Sequence, residues 1–154
     1  MLRRRSRRPS TVLNYRREWL LCHRGADRSV ITEIVNTLEA NDQAVIVQEH
    51  DRFWMSLSEF REFISDEIDA GNRYLIILLN EHLTGPMFRE TFDPIRKQVG
   101  YAVAFYTMRV GNCDITGVDD LVELADIRDP DMRRREIESI CPTDRARCCG
   151  RDAA

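Results

Sequence analysis

The chain reads as an α/β fold built around one parallel sheet, and three observations predict it. Short apolar runs alternate with amphipathic helical patterns from one end to the other. One run, Tyr74-Leu75-Ile76-Ile77-Leu78-Leu79, is apolar or aromatic at all six positions, as suits a strand covered by helices on both faces. The connections are too short to hold separate domains, so successive strands join by right-handed crossovers within one sheet.

Each element has a local reason. Glu18-Trp19-Leu20-Leu21-Cys22 is a first strand, and Asp27 is placed to cap the helix that follows. Val30, Ile31, Ile34, Val35 and Leu38 recur at helical spacing, which predicts an amphipathic helix from Arg28 to Ala40. Asn41-Asp42 breaks it, and the β-branched run at 44–48 is a second strand. Ser56-Leu57-Ser58-Glu59 has the spacing of a capping box, followed by Leu57, Phe60, Phe63, Ile64 and Ile68 on one face. Gly71-Asn72 ends that helix, and the strand at 74–79 follows. A third helical region runs from about Met87 to Val99 with Pro94 inside it, where it kinks or restarts. Residues 101–106 are a fourth strand and 121–125 a short fifth. Asp129-Pro130 opens a last helix, with proline in the first helical position.

A chain of 154 residues is one domain by size, with enough sequence to bury a core without disulfides or metals. Residues 1–14 read as a basic disordered arm, 15–141 as the folded domain and 142–154 as a disordered tail. The arm carries five arginines in its first ten residues, leaving 18 basic against 26 acidic residues in the rest. An acidic body is a poor nucleic-acid platform, so no nucleic-acid partner is expected. No apolar run approaches the roughly 18 residues of a membrane span. The five cysteines are odd in number and irregular in spacing, which argues for a reducing, cytoplasmic setting. His23, His50 and His82 lie in loops without ligand spacing, so no metal site is expected.

Motifs exclude several nucleotide sites. There is no G-x-x-x-x-G-K-[ST] and no G-x-G-x-x-G after a strand. The first strand ends in Cys22-His23 with no acidic cluster, unlike a phospho-acceptor domain.

Four segments together resemble the TIR (Toll/interleukin receptor) domain family. Residues Trp19-Leu20-Leu21-Cys22-His23-Arg24-Gly25-Ala26-Asp27-Arg28 are similar to its opening box, with Arg24, Gly25 and Asp27 matching directly. Leu78-Leu79-Asn80-Glu81-His82-Leu83-Thr84 is similar to the family's L-L-S-x-x-Y-L-x-S. Met87-Phe88-Arg89-Glu90 falls where the family has W-C-x-x-E, although Pro86 replaces the tryptophan. The stretch from Val110-Gly111 through Asp126-Ile127 resembles the last loop and strand of bacterial members. The resemblance spans about residues 18–140. It implies a flavodoxin-like, five-stranded parallel sheet flanked by helices on both faces. It also implies either cleavage of NAD+ at the nicotinamide–ribose bond, giving nicotinamide and linear or cyclic ADP-ribose in immune signalling, or a non-catalytic adaptor acting through TIR–TIR contacts. NAD+ would be a substrate, with no cofactor, and the chain would self-associate or meet other TIR domains. A third reading is a flavodoxin-like domain for a different nucleotide.

The bond in question breaks through an oxocarbenium-like state, and its leaving group is already cationic. A carboxylate beside the ribose is therefore needed and a general acid is not. The resemblance gives that role to Glu90; taken alone, Glu90 reads as a first-turn helix glutamate favoured by the macrodipole. Cys22, His23, Arg24 and Gly25 would line the substrate cleft at the end of the first strand. Arg24 there either grips a phosphate or stays in solvent, and Gly25 lets the backbone approach closely or simply makes a turn. Cys22 reads as a small buried hydrophobe. Trp54, with Phe53 beside it, lies in the loop that gates the site in the family; it either stacks on a base or a second subunit, or tucks into the core edge.

Overall fold

A computed structural model describes residues 2–4, 17–48, 56–118 and 124–142. Its six strands are β1 (Leu2–Arg4), β2 (Glu18–Cys22), β3 (Ala44–Gln48), β4 (Tyr74–Leu79), β5 (Ala104–Arg109) and β6 (Leu124–Asp126). Its helices are α1 (Arg28–Ala40), α2 (Leu57–Asp69), α3 (Gly85–Val99) and α4 (Pro130–Ile140). The sheet order is β1-β3-β2-β4-β5-β6. Strands β2 to β6 are all parallel, so that counting these five alone gives the flavodoxin-like order 2-1-3-4-5.

Alternation along each strand divides the core between the two faces. Leu20, Cys22, Ile46, Leu75, Ile77 and Leu79 pack with Phe60 and Ile64 of α2 and with Phe88 and Phe92 of α3. Trp19, Leu21, Val45, Ile76, Leu78 and Met108 pack with Ile34 and Leu38 of α1 and Ile137 of α4. The aromatic side chains anchor the first face: Phe88 stacks on Phe92 at 4.7 Å, and Phe60 meets Phe92 edge-on at 6.0 Å. Full burial of one such side chain stabilises the fold by about 1.5–3 kcal/mol.

The helix ends form as their sequences dictate. Asp27 caps α1, with Oδ1 accepting from the Ser29 backbone at 2.9 Å. Ser56 and Glu59 make the reciprocal capping box of α2. Asp129 caps α4 with Pro130 behind it. Arg133, 6% exposed, ties α4 to its neighbours: it donates to Glu33 of α1 at 2.6 Å and to the carbonyls of Ile127 and Arg128.

Three boundaries differ from the sequence-based expectation. The fourth parallel strand is shifted by three residues, from 101–106 to Ala104–Arg109. Gly100, at φ +59°, and a 3-10 turn at Gly100–Ala102 use the first part of that apolar run to close α3, and Val103 is buried in the turn that follows. The fifth strand is the three-residue Leu124–Asp126, and the expected start at 121 lies outside the described residues. Helix α3 begins two residues early and runs continuously through Pro94. Thr84 caps it, and Pro86 sits in its first turn, where a missing N–H costs nothing. The backbone of Leu2–Arg4, within the arm read as disordered, lies antiparallel along β3 and covers its otherwise open edge.

Candidate functional site

The chain leaves β2 for β3 on one side and then returns past it to β4 on the other. The strand order therefore reverses between β2 and β4, and open α/β sheets bind ligands in the crevice beyond the carboxyl ends at such a point. Two loops form its rims here: residues 23–27 after β2 and 80–84 after β4.

These rims are clasped together. Asn80, 7% exposed, accepts from the backbones of His82 at 2.8 Å and Leu83 at 3.0 Å through Oδ1, which folds its own loop into a tight turn. Its Nδ2 donates to the Arg24 carbonyl at 3.3 Å. Arg24 answers, donating from Nη1 to the His82 carbonyl at 2.7 Å. Gly25 has φ +68°, a left-handed conformation that glycine adopts without strain and that turns the first rim. His23 is buried, and its Nδ1 accepts from the Ala26 backbone at 3.3 Å. Cys22 is fully buried, and burial followed by the nearby Glu67 charge pushes its thiol well above the ordinary range. An un-ionised thiol packed in the core has no nucleophilic role.

Glu90 lies in the second turn of α3, one turn later than its sequence suggests. The buried stripe of that helix is Gly85, Phe88, Thr91, Phe92 and Ile95, and Glu90 is exposed on the opposite side. Its carboxylate makes no hydrogen bond or ion pair with the described residues. The link to the crevice is Met87, whose Sδ lies 3.9 Å from Arg24 Nη1. Met87 and Glu90 are three residues apart and so adjacent along the helix surface. The structure thus joins His23, Arg24 and Gly25 in one rim, leaves Cys22 beneath it in the core instead of lining the cleft, and sets Glu90 one helical turn beyond the rim, without direct contact. Trp54, Phe53 and the rest of the loop after β3 lie outside the described residues.

Sequence reasoning passed over three features of this end of the sheet. Asn80 reads as a mere substitution in a motif, yet it holds both rims. Gly85 is a packing glycine: its N–H donates to the Asp114 carbonyl at 2.6 Å, and a Cβ there would sit 2.6 Å from the Ile115 carbonyl carbon. At the ends of β5 and β6, Arg128 forks onto Asp126 at 2.7 and 2.9 Å and reaches Asn112, while Arg109 donates to the Cys113 carbonyl. The Arg128 fork holds the Asp126 carboxyl below its usual range. A polar residue at the carboxyl end of a strand was the one available signal for Asn80 and Asp126. Among the described residues, no group of three or more His, Cys, Asp or Glu side chains is arranged to hold a metal ion, and no helix is long and apolar enough to cross a membrane.

No protein-family model, no curated protein and no solved structure matches the chain.

Proposed function

We propose that the chain is a TIR-like domain that cleaves NAD+ at its nicotinamide–ribose bond. The observation that carries the reading is the crevice between β2 and β4, clasped by Arg24 and Asn80, with Glu90 one turn along α3 from the Met87–Arg24 contact. In this reading the ribose lies over the start of α3. The C–N bond breaks with its electron pair passing to the pyridinium nitrogen, and nicotinamide leaves neutral. Positive charge develops on the ribose, and the Glu90 carboxylate stabilises it and holds the hydroxyls. Water then bonds to the anomeric carbon and loses a proton, giving ADP-ribose; an adenine nitrogen in its place gives the cyclic product. Arg24 and Asn80 position the rims. A reducing, cytoplasmic setting belongs to the same proposal, supported by Cys22, Cys113 and Cys141 being unbridged thiols.

The test is nicotinamide release from NAD+ by concentrated protein. Glu90→Gln keeps the shape and removes the charge, and should lower the rate by about 10²–10³. Its melting temperature should stay near that of the parent, because an exposed substitution changes stability by within about 0.5 kcal/mol. Wild-type turnover in the variant would remove Glu90 from the chemistry.

One observation favours a second reading, a non-catalytic adaptor working through TIR–TIR contacts. Glu90 is exposed, and no described side chain orients its carboxylate. Absence of nicotinamide release from the concentrated parent protein would select the adaptor.

A further inference from the structure

On the sheet face that carries α1 and α4, the described residues leave part of β5 and β6 uncovered. Beside the C-terminal half of α4, a pocket of 570 Å³ opens over β5 and β6. Its volume falls within the roughly 300–1,000 Å³ of small-molecule sites. Tyr106, Met108 and Ala125, which point to this face, form an apolar floor, and Ile140 forms one wall.

The polar side chains at this pocket are Arg17, Tyr106, Thr107, Glu136, Ser139 and the thiol of Cys141. Arg17 lies at the rim, just before β2 and so toward the amino ends of the strands, away from the crevice. Its guanidinium is held over the Tyr74 ring at 4.4 Å and within 5.7 Å of the Trp19 ring. Its backbone N–H is anchored by Gln43 Oε1 at 3.0 Å. The guanidinium makes one long hydrogen bond, 3.5 Å to the Ile140 carbonyl, and no carboxylate pairs with it among the described residues. An arginine fixed by ring stacking, with most of its donors unused, is a ready anion contact. The Tyr106 hydroxyl and the Glu136 carboxylate also have no hydrogen-bond partner among the described residues. Glu136 lies on α4, one turn before Ile140, and sets a negative charge on the same wall.

We propose that this pocket is a second binding site, for a flat apolar organic anion carrying a single negative charge. The anionic group pairs with Arg17 and the ring lies on Tyr106, Met108 and Ala125. Glu136 selects against a second negative charge, which disfavours phosphate esters and dicarboxylates. The site is independent of the crevice and of any reaction there.

Calorimetric titration of the full chain with naphthoate tests this, because heat reports binding whether or not NAD+ is cleaved. One saturable site with Kd between about 10 μM and about 1 mM is the expected result. Ala125→Phe fills the floor and should abolish it. Arg17→Gln should weaken it at least about tenfold, and the uncharged naphthamide should bind the parent protein correspondingly worse. Glu136→Gln should leave naphthoate binding within about threefold while tightening naphthalene-dicarboxylate about tenfold. Absence of saturable heat up to millimolar naphthoate would overturn the proposal. So would binding that a folded Ala125→Phe protein retains, or equal affinity for naphthoate and naphthamide. If Arg17→Gln does not fold, the naphthamide comparison and the Glu136→Gln variant still decide.

Discussion

Gly85 shows how one position joins the crevice to the rest of the sheet. It is the first residue of α3, and the 114–115 backbone packs directly against its Cα. A methyl group at 2.6 Å from a carbonyl carbon has no rotamer to escape through. Gly85→Ala should therefore lower stability by about 1–3 kcal/mol, read as an earlier urea midpoint, although alanine is the better helix former. An unchanged midpoint would mean that the 114–115 segment yields without cost. Cys141 makes a different kind of prediction. Burial pushes its thiol up to about 11, with Arg17 pulling the other way. In the unfolded chain a thiol ionises near pH 8.5. Between these values the unfolded state releases its proton and the folded state keeps it, so stability falls as pH rises and is unaffected below about pH 8. Cys141→Ala should lose less stability than the parent between about pH 8 and about pH 10, by on the order of 1–2 kcal/mol, in paired urea titrations. Equal losses would assign the alkaline effect to other groups such as Cys22.

Helix α3 positions the candidate acid, and it does so despite Pro94. A proline there removes the bond to the Glu90 carbonyl and crowds it. The helix persists because its apolar stripe locks Phe88, Phe92 and Ile95 into the core on both sides of the break. Burial of three large side chains outweighs the roughly 3 kcal/mol propensity cost of one proline. Pro94 is exposed, so Pro94→Ala should restore the bond without creating a cavity. We expect a gain of about 1–3 kcal/mol, seen as a higher melting temperature. A lower one would show that the local geometry at Pro94 is needed for packing.

For the molecule as a whole, the proposed site is open on the side where Glu90 faces solvent. A second copy can close that side, and the 49–55 loop with Phe53 and Trp54 is the segment from which the sequence expects the contact. Specific nicotinamide release should then rise with protein concentration instead of staying flat. A constant specific activity over about a hundredfold range of concentration would make the monomer sufficient and the assembly idea wrong.

Local chemistry determined most of the elements. Asp27, the Ser56–Glu59 box and the Asp129-Pro130 pair are capping signals confined to a few residues. The bounds of α1 were legible because its apolar stripe is continuous, and β4 because six apolar residues in a row admit few alternatives. Strand–helix alternation also implied parallel pairing, since each crossover helix carries the chain back to the end of the sheet where the previous strand began. Alternation alone left strand order open, because it is the same whichever side of β2 receives β4; the flavodoxin-like order came only with the resemblance, and the sheet has it. Tertiary packing realises that order and so sets where the crevice lies. The β5 register was hidden for a related reason: residues 101–103 are as strand-like as 104–106, and closing α3 over Gly100 consumed them. The clasp between Arg24 and His82 joins residues 58 apart in sequence, and the Arg133–Glu33 pair joins residues 100 apart. Such contacts depend on two distant segments coming close enough for a long side chain to bridge them, and no local pattern encodes that. The sequence by itself thus determined most of the elements and their parallel direction, and its resemblance offered Glu90 as a candidate carboxylate. The tertiary structure decided which strand ends meet, that Asn80 ties the two rims together, and that Glu90 stands on the outer side of its helix.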